Sequence, residues 1–317
     1  VRTSPQLTMQ PLNFSAQAPT DGWARLISTA KAADAAGIDR IVLSDHVVFG
    51  EALDAYGDPR LGGTAGGKQP TGPDGHWLEP LTTLAFLAGQ THRVRLGTAI
   101  LLAALRRPAV LAKTTATLDV LSGGRLDLGV GVGWQAEEYE AAGLAFNRRG
   151  RLLDHTLDVC RALWTDTAAT IATDELSFTN IHSMPKPVAP AGIPLWISGT
   201  VNQRTMRRLA TYGTGWIPWG PAVADPLAGI AAMRRAVADF DRDPSDIEVT
   251  AYLPTMRVSA DDRTSPVDFA ATMARAPAMH DSGVTDFKVT LPVPADETAA
   301  TEYLAEAVGA FRALWDD

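Results

Sequence analysis

The stretch SDHVV, residues 44–48, holds the side chain best suited to proton chemistry in this sequence. His46 ends the apolar, β-branched run RIVLS (40–44), and histidine alone changes charge near neutrality without help from its surroundings. Asp45 and His46 are neighbours on an extended chain and so point to opposite sides. A strand-end histidine serves equally well as a structural hydrogen-bond partner. A second stretch, ISGTVNQRTMRRLA (197–210), reads as a strand, a Gly-Thr turn and a helix start. The backbone amides of Gly199, Thr200 and Val201 would face an anion there, with the Thr200 hydroxyl and Arg204 as further donors. This predicts a phosphate site, against the plainer role of Thr200 as an N-cap.

The third stretch is GRLDLGVGVGW (124–134), with glycines at 129, 131 and 133. The dinucleotide fingerprint G-x-G-x-x-G would need its last glycine where Trp134 stands, so that match fails. On a strand, glycines at alternate positions share one face. They leave room for a flat ligand there or relieve crowded core side chains. Arg106 and Arg107 follow in LRRPAVLAK, with Lys113 inside the next helix. Solvated rim charges are their default reading, and a phosphorylated, acidic cofactor tail would give the arginines a role. The basic cluster NRRGRLLDH (147–155) leads into a helix, which it caps and solubilises. His76, His92, His155, His182 and His280 show no metal-ligand spacing, so a catalytic metal is not expected. There is no G-x-S-x-G elbow or Walker loop, and Lys288 falls mid-strand, which argues against a Schiff-base aldolase.

The remaining composition limits the partners. With 28 basic and 36 acidic side chains the formal charge is −8, which disfavours general binding to nucleic acid or an anionic membrane. No run approaches the roughly 18 consecutive apolar residues of a membrane helix, and residues near the N-terminus do not form a signal peptide. The single cysteine, Cys160, excludes an intrachain disulfide and fits a reducing, cytoplasmic location. It shares a helical face with Leu153, Leu157 and Trp164 and reads as a small buried hydrophobe.

These groups need elements to position them. Short buried strands are expected at 7–14, 40–44, 93–101, 125–132, 193–198, 215–219, 247–254 and 285–292. Between them lie helical patterns. Asp21 caps one with Trp23, Leu26, Ile27 and Ala30 on its apolar face and Gly37 at its end. Pro80 and Pro108 open two more, Gly123 closing the second, and others are expected at 147–164, 201–212, 226–239, 267–282 and 297–314. Strand and helix alternate eight times, which fits a single α/β domain over 1–317, a closed (β/α)8 TIM barrel. Two insertions interrupt it: a glycine-rich, lid-like segment at 50–77, and a segment at 165–192 that holds a short hairpin.

Taken together, SDHVV, RVRLGTAILL, RRPAVLAKTTATLDVLSGGRLDLGVGVGWQAEEYEAAG, NRRGRLLD and IPLWISGT resemble the bacterial luciferase-like family over nearly the whole chain. Within that family the chain most resembles the oxidoreductases that use the deazaflavin coenzyme F420. The resemblance implies a barrel that holds a deazaflavin or flavin at its C-terminal mouth, and a homodimer. His46 would lie near the reactive part of the ring, and Gly199 and Thr200 would bind the cofactor phosphate. Gly131 and Gly133 would border the ring, and a non-prolyl cis peptide at about Ala99-Ile100 would press on its back face. In the branch that oxidises glucose 6-phosphate, an acidic residue stands at the place of Trp134 and a tryptophan at that of Gly50, so that substrate is not expected. Trp134 and the lid residue Trp77 suggest a small, more apolar one. The alternative cofactor is FMN, in a monooxygenase fed by a separate reductase, and a third reading is a non-catalytic flavin-binding barrel.

Overall fold

The structure is a computed structural model that describes Ser4–Trp315; the first three and last two residues of the 1–317 span lie outside it. Eight parallel strands close into a barrel: β1 (Gln6–Met9), β2 (Arg40–Leu43), β3 (Arg95–Thr98), β4 (Leu126–Val130), β5 (Leu195–Gly199), β6 (Gly215–Pro218), β7 (Glu248–Tyr252) and β8 (Asp286–Val289). Each pairs with its neighbours in chain order, and β8 pairs with β1 through Thr8↔Lys288. This is the (β/α)8 barrel expected from the alternation. Most strands end before the apolar segments do, because the last residues of each segment leave the ladder to build the mouth.

The two-residue period sorts the strand side chains. Leu7, Ile41, Leu96, Ile197, Trp216 and Phe287 are fully buried in the layer between the strands and the helices. Each contributes about 1.5–3 kcal/mol of burial. The alternate residues converge inside the barrel, and Arg40, Asp127, Asp286 and Lys288 among them are charged. Arg40 meets Asp286 at 2.5 Å and Asp127 at 3.6 Å, while Asp286 also accepts from Thr8 (2.5 Å) and Thr250 (2.7 Å). Arg95 grips both Asp127 oxygens at 2.7 Å, and the Arg40 guanidinium lies 4.0 Å over the Trp196 ring. Buried charges persist only when paired in this way; losing one partner costs about 3–5 kcal/mol.

Around the barrel run α1 (Ala24–Ala36), α2 (Pro80–Ala88), α3 (Pro108–Leu121), α4 (Ala136–Ala141), α5 (Arg149–Thr165), α6 (Gln203–Tyr212), α7 (Pro221–Ala224), α8 (Pro226–Ala238), α9 (Phe269–Met273), α10 (Ala276–Asp281) and α11 (Glu297–Arg312). Asp21 does serve α1, accepting from the Trp23 and Arg25 amides at 3.1 and 3.0 Å, and Gly37 ends it with a φ of 89°. Pro80 and Pro108 open α2 and α3 as expected. The single helix expected over 267–282 is two, α9 and α10, because Pro277 lacks the N–H that a continuous helix would use. The short helices α4 and α7 were not anticipated.

Both insertions carry structure. In the second, Ala169–Ala172 and Ser177–Ile181 form the expected antiparallel hairpin. Arg148 pairs with Glu175, and Arg151 lies 3.6 Å from Asp174, so the NRRGR cluster anchors that hairpin rather than merely solubilising a helix. In the first, His76–Trp77 pair antiparallel with Phe14–Ser15 beyond β1. Cys160 is buried, and burial pushes its thiol up. Among the described residues no helix is long and apolar enough to cross a membrane.

Candidate active site

The chain leaving β2 is clamped before it reaches His46. Asn13 donates to the Ser44 carbonyl (2.8 Å) and accepts from the Ser44 amide (3.1 Å), while Gln10 donates to the Ser44 hydroxyl (2.7 Å). Asp45 and His46 then point oppositely, as an extended chain requires. Asp45, fully buried, turns toward the β3 side and accepts from the Leu102 amide at 2.8 Å and from both Arg106 terminal nitrogens at 2.6 and 3.0 Å. Arg106 also reaches Glu79 at 2.8 Å. Arg106 is thus not a solvated rim charge available to a cofactor tail; it is the counter-ion of two carboxylates. Arg107 precedes α3 and is exposed, and Lys113 donates to the Met184 carbonyl.

His46 turns toward the loop after β4. Its Nδ1 lies 3.2 Å from a carboxylate oxygen of Glu138, whose other oxygen accepts from the Val47 amide at 2.8 Å. The imidazole is enclosed by aromatic rings: Phe49 at 4.5 Å, Trp77 at 4.8 Å and Trp134 at 5.8 Å between centroids. Phe14 stacks behind Trp77 at 4.2 Å, and Tyr56 meets the edge of Trp134 at 5.4 Å. Trp77 and Trp134 therefore come to the expected histidine. Glu138, Phe49, Phe14 and Tyr56 were missed, although Glu138 lies in the quoted block, four residues after Trp134.

The alternate glycines have neighbours at the end of β3 and in the chain beyond it. A Cβ at Gly129 would fall 2.0 Å from the Thr98 carbonyl oxygen, one at Gly131 2.1 Å from Ile100 Cδ1, and one at Gly133 2.8 Å from Leu102 Cδ2. Of the two readings of that face, the structure bears out relief of crowding, because chain rather than open space occupies it. Between those positions the Ala99-Ile100 peptide is cis, as the resemblance implied. Beneath them a cavity of about 10 Å³, room for a water molecule, is lined by Ala99, Val42, Gly129 and Lys288 among others. Lys288 donates to Gln10 at 3.1 Å, and its burial lowers its pKa. A larger cleft, about 380 Å³, opens at the opposite end of the barrel, beside Arg95 and Glu248 at the starts of β3 and β7.

Gly199 (φ 150°), the last residue of β5, leads through Thr200 into α6. The N-cap is Asn202, not Thr200: its side-chain oxygen accepts from the Thr205 amide at 3.0 Å, and its nitrogen donates to the Thr200 hydroxyl at 2.9 Å. Helix geometry leaves the Gln203 and Arg204 amides without carbonyls inside α6, and the Arg204 side chain is exposed beside them. The lid-like segment crosses the mouth: Gln135 donates to the Gly50 carbonyl (3.4 Å), Arg149 to Leu61 (3.2 Å) and Trp219 to Gly63 (3.0 Å). Among the described residues no group of three or more His, Cys, Asp or Glu could hold a metal ion.

A histidine, a cis peptide and a helix N-terminus thus meet the C-terminal ends of barrel strands, and the model of the luciferase-like monooxygenase family matches residues 7–315. The chain belongs to that family. An uncharacterized protein of Mycobacterium tuberculosis is 36% identical over 140 residues, which are 44% of this chain and 49% of that one, so the match spans about half of each. A phthiodiolone/phenolphthiodiolone dimycocerosates ketoreductase of Mycobacterium kansasii is 30% identical over 224 residues, 69% of this chain and 60% of that one. An F420-dependent secondary alcohol dehydrogenase, solved with an F420-acetone adduct, shares the fold. It superposes with a TM-score of 0.71 at 17% identity, over 98% of this chain and 100% of that one. Members of the family are oxidoreductases and monooxygenases, and this chain carries their barrel intact.

Proposed function

We propose that the chain transfers a hydride between coenzyme F420 and a small, apolar organic substrate of the alcohol or ketone class, with His46 exchanging the accompanying proton. The observation that carries this reading is the setting of His46, an acid-base group enclosed by Phe49, Trp77 and Trp134 at the barrel mouth. Such a box excludes water and offers apolar surface to the substrate while leaving one ionisable group for the proton. Likeness to a ketoreductase supports the same chemistry. The residues present fit the coenzyme: Thr200, Arg204 and the first-turn amides of α6 supply donors for a phosphate, without a counter-charge of metal. Gly199, Thr200 and Arg204 would hold that phosphate, and Ala99 and Ile100 would border the ring.

Bound there, F420 gives or takes a hydride at one ring carbon. The chain's own work is to orient the substrate, exclude water and move a proton at the His46 imidazole. Trp77 and Trp134 line the apolar side, and the lid-like segment closes over it. The same reading makes the chain a cytoplasmic homodimer. Phe86 on α2 and Val110 and Leu121 on α3, 54%, 64% and 73% exposed, supply apolar surface for a second copy.

The test is a titration with F420 and, separately, FMN, following quenching of the 8 tryptophans. Binding of F420 in preference to FMN, followed by turnover of alcohols or ketones, is the expected result. Preference for FMN would instead favour oxygen chemistry with a partner reductase, the reading that the family's description as monooxygenases supports. On the F420 reading, His46→Ala retains cofactor binding and loses about 10²–10⁴-fold in kcat. Unchanged turnover would remove His46 from the chemistry.

A further inference from the structure

The buried acid beside His46 decides which nitrogen of the imidazole can work. Glu138 sits in α4, and its side chain is 1% exposed. One oxygen accepts from the Val47 amide, so the carboxylate holds the backbone as well as the ring of the residue before it. The other faces His46 Nδ1 at 3.2 Å. An imidazole is a stronger base than a carboxylate, so a proton shared between them sits on Nδ1 and the carboxylate accepts it. The aromatic box removes competing water and strengthens this charge-assisted bond.

We infer that Glu138 is a positioning residue that fixes His46 as the Nδ1–H tautomer, so that only Nε2 meets the substrate. Neutral His46 then presents a bare Nε2, which accepts a proton, and only the imidazolium presents an Nε2–H that donates one. The inference rests on the proposed hydride transfer and gives its two directions different charge states. In oxidation, Nε2 of neutral His46 would take the hydroxyl proton as the alcohol carbon lost its hydride to the bound coenzyme, so that the C–H and O–H bonds become C=O. In reduction, the imidazolium Nε2–H would protonate the oxygen as the carbonyl carbon gained a hydride supplied by the bound coenzyme. The Glu138 carboxylate, 3.2 Å from Nδ1, offsets the charge of the imidazolium.

Glu138→Gln tests this because it keeps the size and the acceptor for the Val47 amide, yet puts an N–H donor against Nδ1. The ring must then carry its proton on Nε2. ¹⁵N NMR of the histidine-labelled protein, with His46→Asn to assign the signal, is expected to show protonated Nδ1 and bare Nε2 for neutral His46 in the parent. The pattern is expected to reverse in Glu138→Gln. In turnover, Glu138→Gln is expected to lower kcat about 100-fold with KM and F420 affinity unchanged, and Glu138→Asp to recover part of the loss. A parent spectrum with the proton on Nε2, or an identical spectrum in the variant, overturns the inference. Should Glu138→Gln fail to fold, the parent spectrum alone decides. Loss of the proposed function is read separately, since turnover that survives His46→Ala removes the histidine from the chemistry whatever its tautomer.

Discussion

The glycine series of β4 and the loop after it can be ranked from geometry alone. A Cβ at Gly129 would lie 2.0 Å from the Thr98 carbonyl oxygen and 2.9 Å from Ile217 Cδ1, whereas contacts under 3.0 Å are essentially never seen at real Cβ atoms. The obstacle is backbone of the neighbouring strand, and the Gly129 carbonyl itself accepts from the Leu101 amide and the Thr98 hydroxyl at 2.7 Å each. Relief therefore requires two barrel strands to part by about 1 Å, and Gly129→Ala is expected to cost about 3 kcal/mol, the upper end for overpacking. At Gly131 the obstacle is only Ile100 Cδ1, the far end of a side chain that can change rotamer. Gly131→Ala is expected to cost about 1 kcal/mol, and Ile100→Val, which removes that methyl, should recover most of it in the double variant. Gly133, with φ of 68°, should fall between, since a side chain in the left-handed region costs about 1–2 kcal/mol. Thermal unfolding measures the series, at about 2 °C per kcal/mol for a chain of this size. Gly129→Ala melting within 1 °C of the parent, or above Gly131→Ala, would refute the close-approach account of these glycines.

Two further outcomes follow from buried charge. Asp45→Ala leaves the Leu102 amide and half of the Arg106 ion pairing without an acceptor, and is expected to cost about 3 kcal/mol. In an equilibrium unfolding cycle, adding Arg106→Ala should cost less in that background than alone; strict additivity would deny the pair. Burial lowers the pKa of Lys288, so below the unfolded value of 10.5 the unfolded chain binds more protons than the folded one. Stability should therefore rise with pH from the depressed folded pKa up to about 10.5 through this residue, and Lys288→Met should raise the melting temperature at pH 7, its advantage shrinking toward pH 10.5. A variant less stable than the parent at pH 7 would mean that the bond to Gln10 outweighs the cost of burial.

The barrel was legible because its signals are local. Runs such as RIVLS and IEVTAYLP are short, β-branched and bounded by turns, and a proline opens α2 and α3 where the apolar pattern resumes. The split at Pro277 was equally local and was overlooked. The charged interior of the barrel had no such signal: Arg40, Asp127 and Asp286 stand alone in three separate strands, and only closure of the sheet brings them together.

The site divides along the same line. His46, Trp134 and the Gly199-Thr200 turn stand in compact stretches whose local chemistry can be read, yet what each does depends on partners far along the chain. Arg106 looked like a free cation because nothing within several residues of it is acidic; Asp45, its counter-ion, is 61 residues away. Glu138 lies 92 residues from His46, in a short helix whose pattern is too brief to register. A single sequence records that a histidine ends a strand, but whether that histidine is a base, an acid or a brace depends on which proton its buried partner allows it to keep. Here the partner is a carboxylate that also holds the next backbone amide, so ring orientation and loop position are coupled. On the proposed function, a change that moves the loop after β4 should therefore alter proton transfer at His46 without touching the substrate.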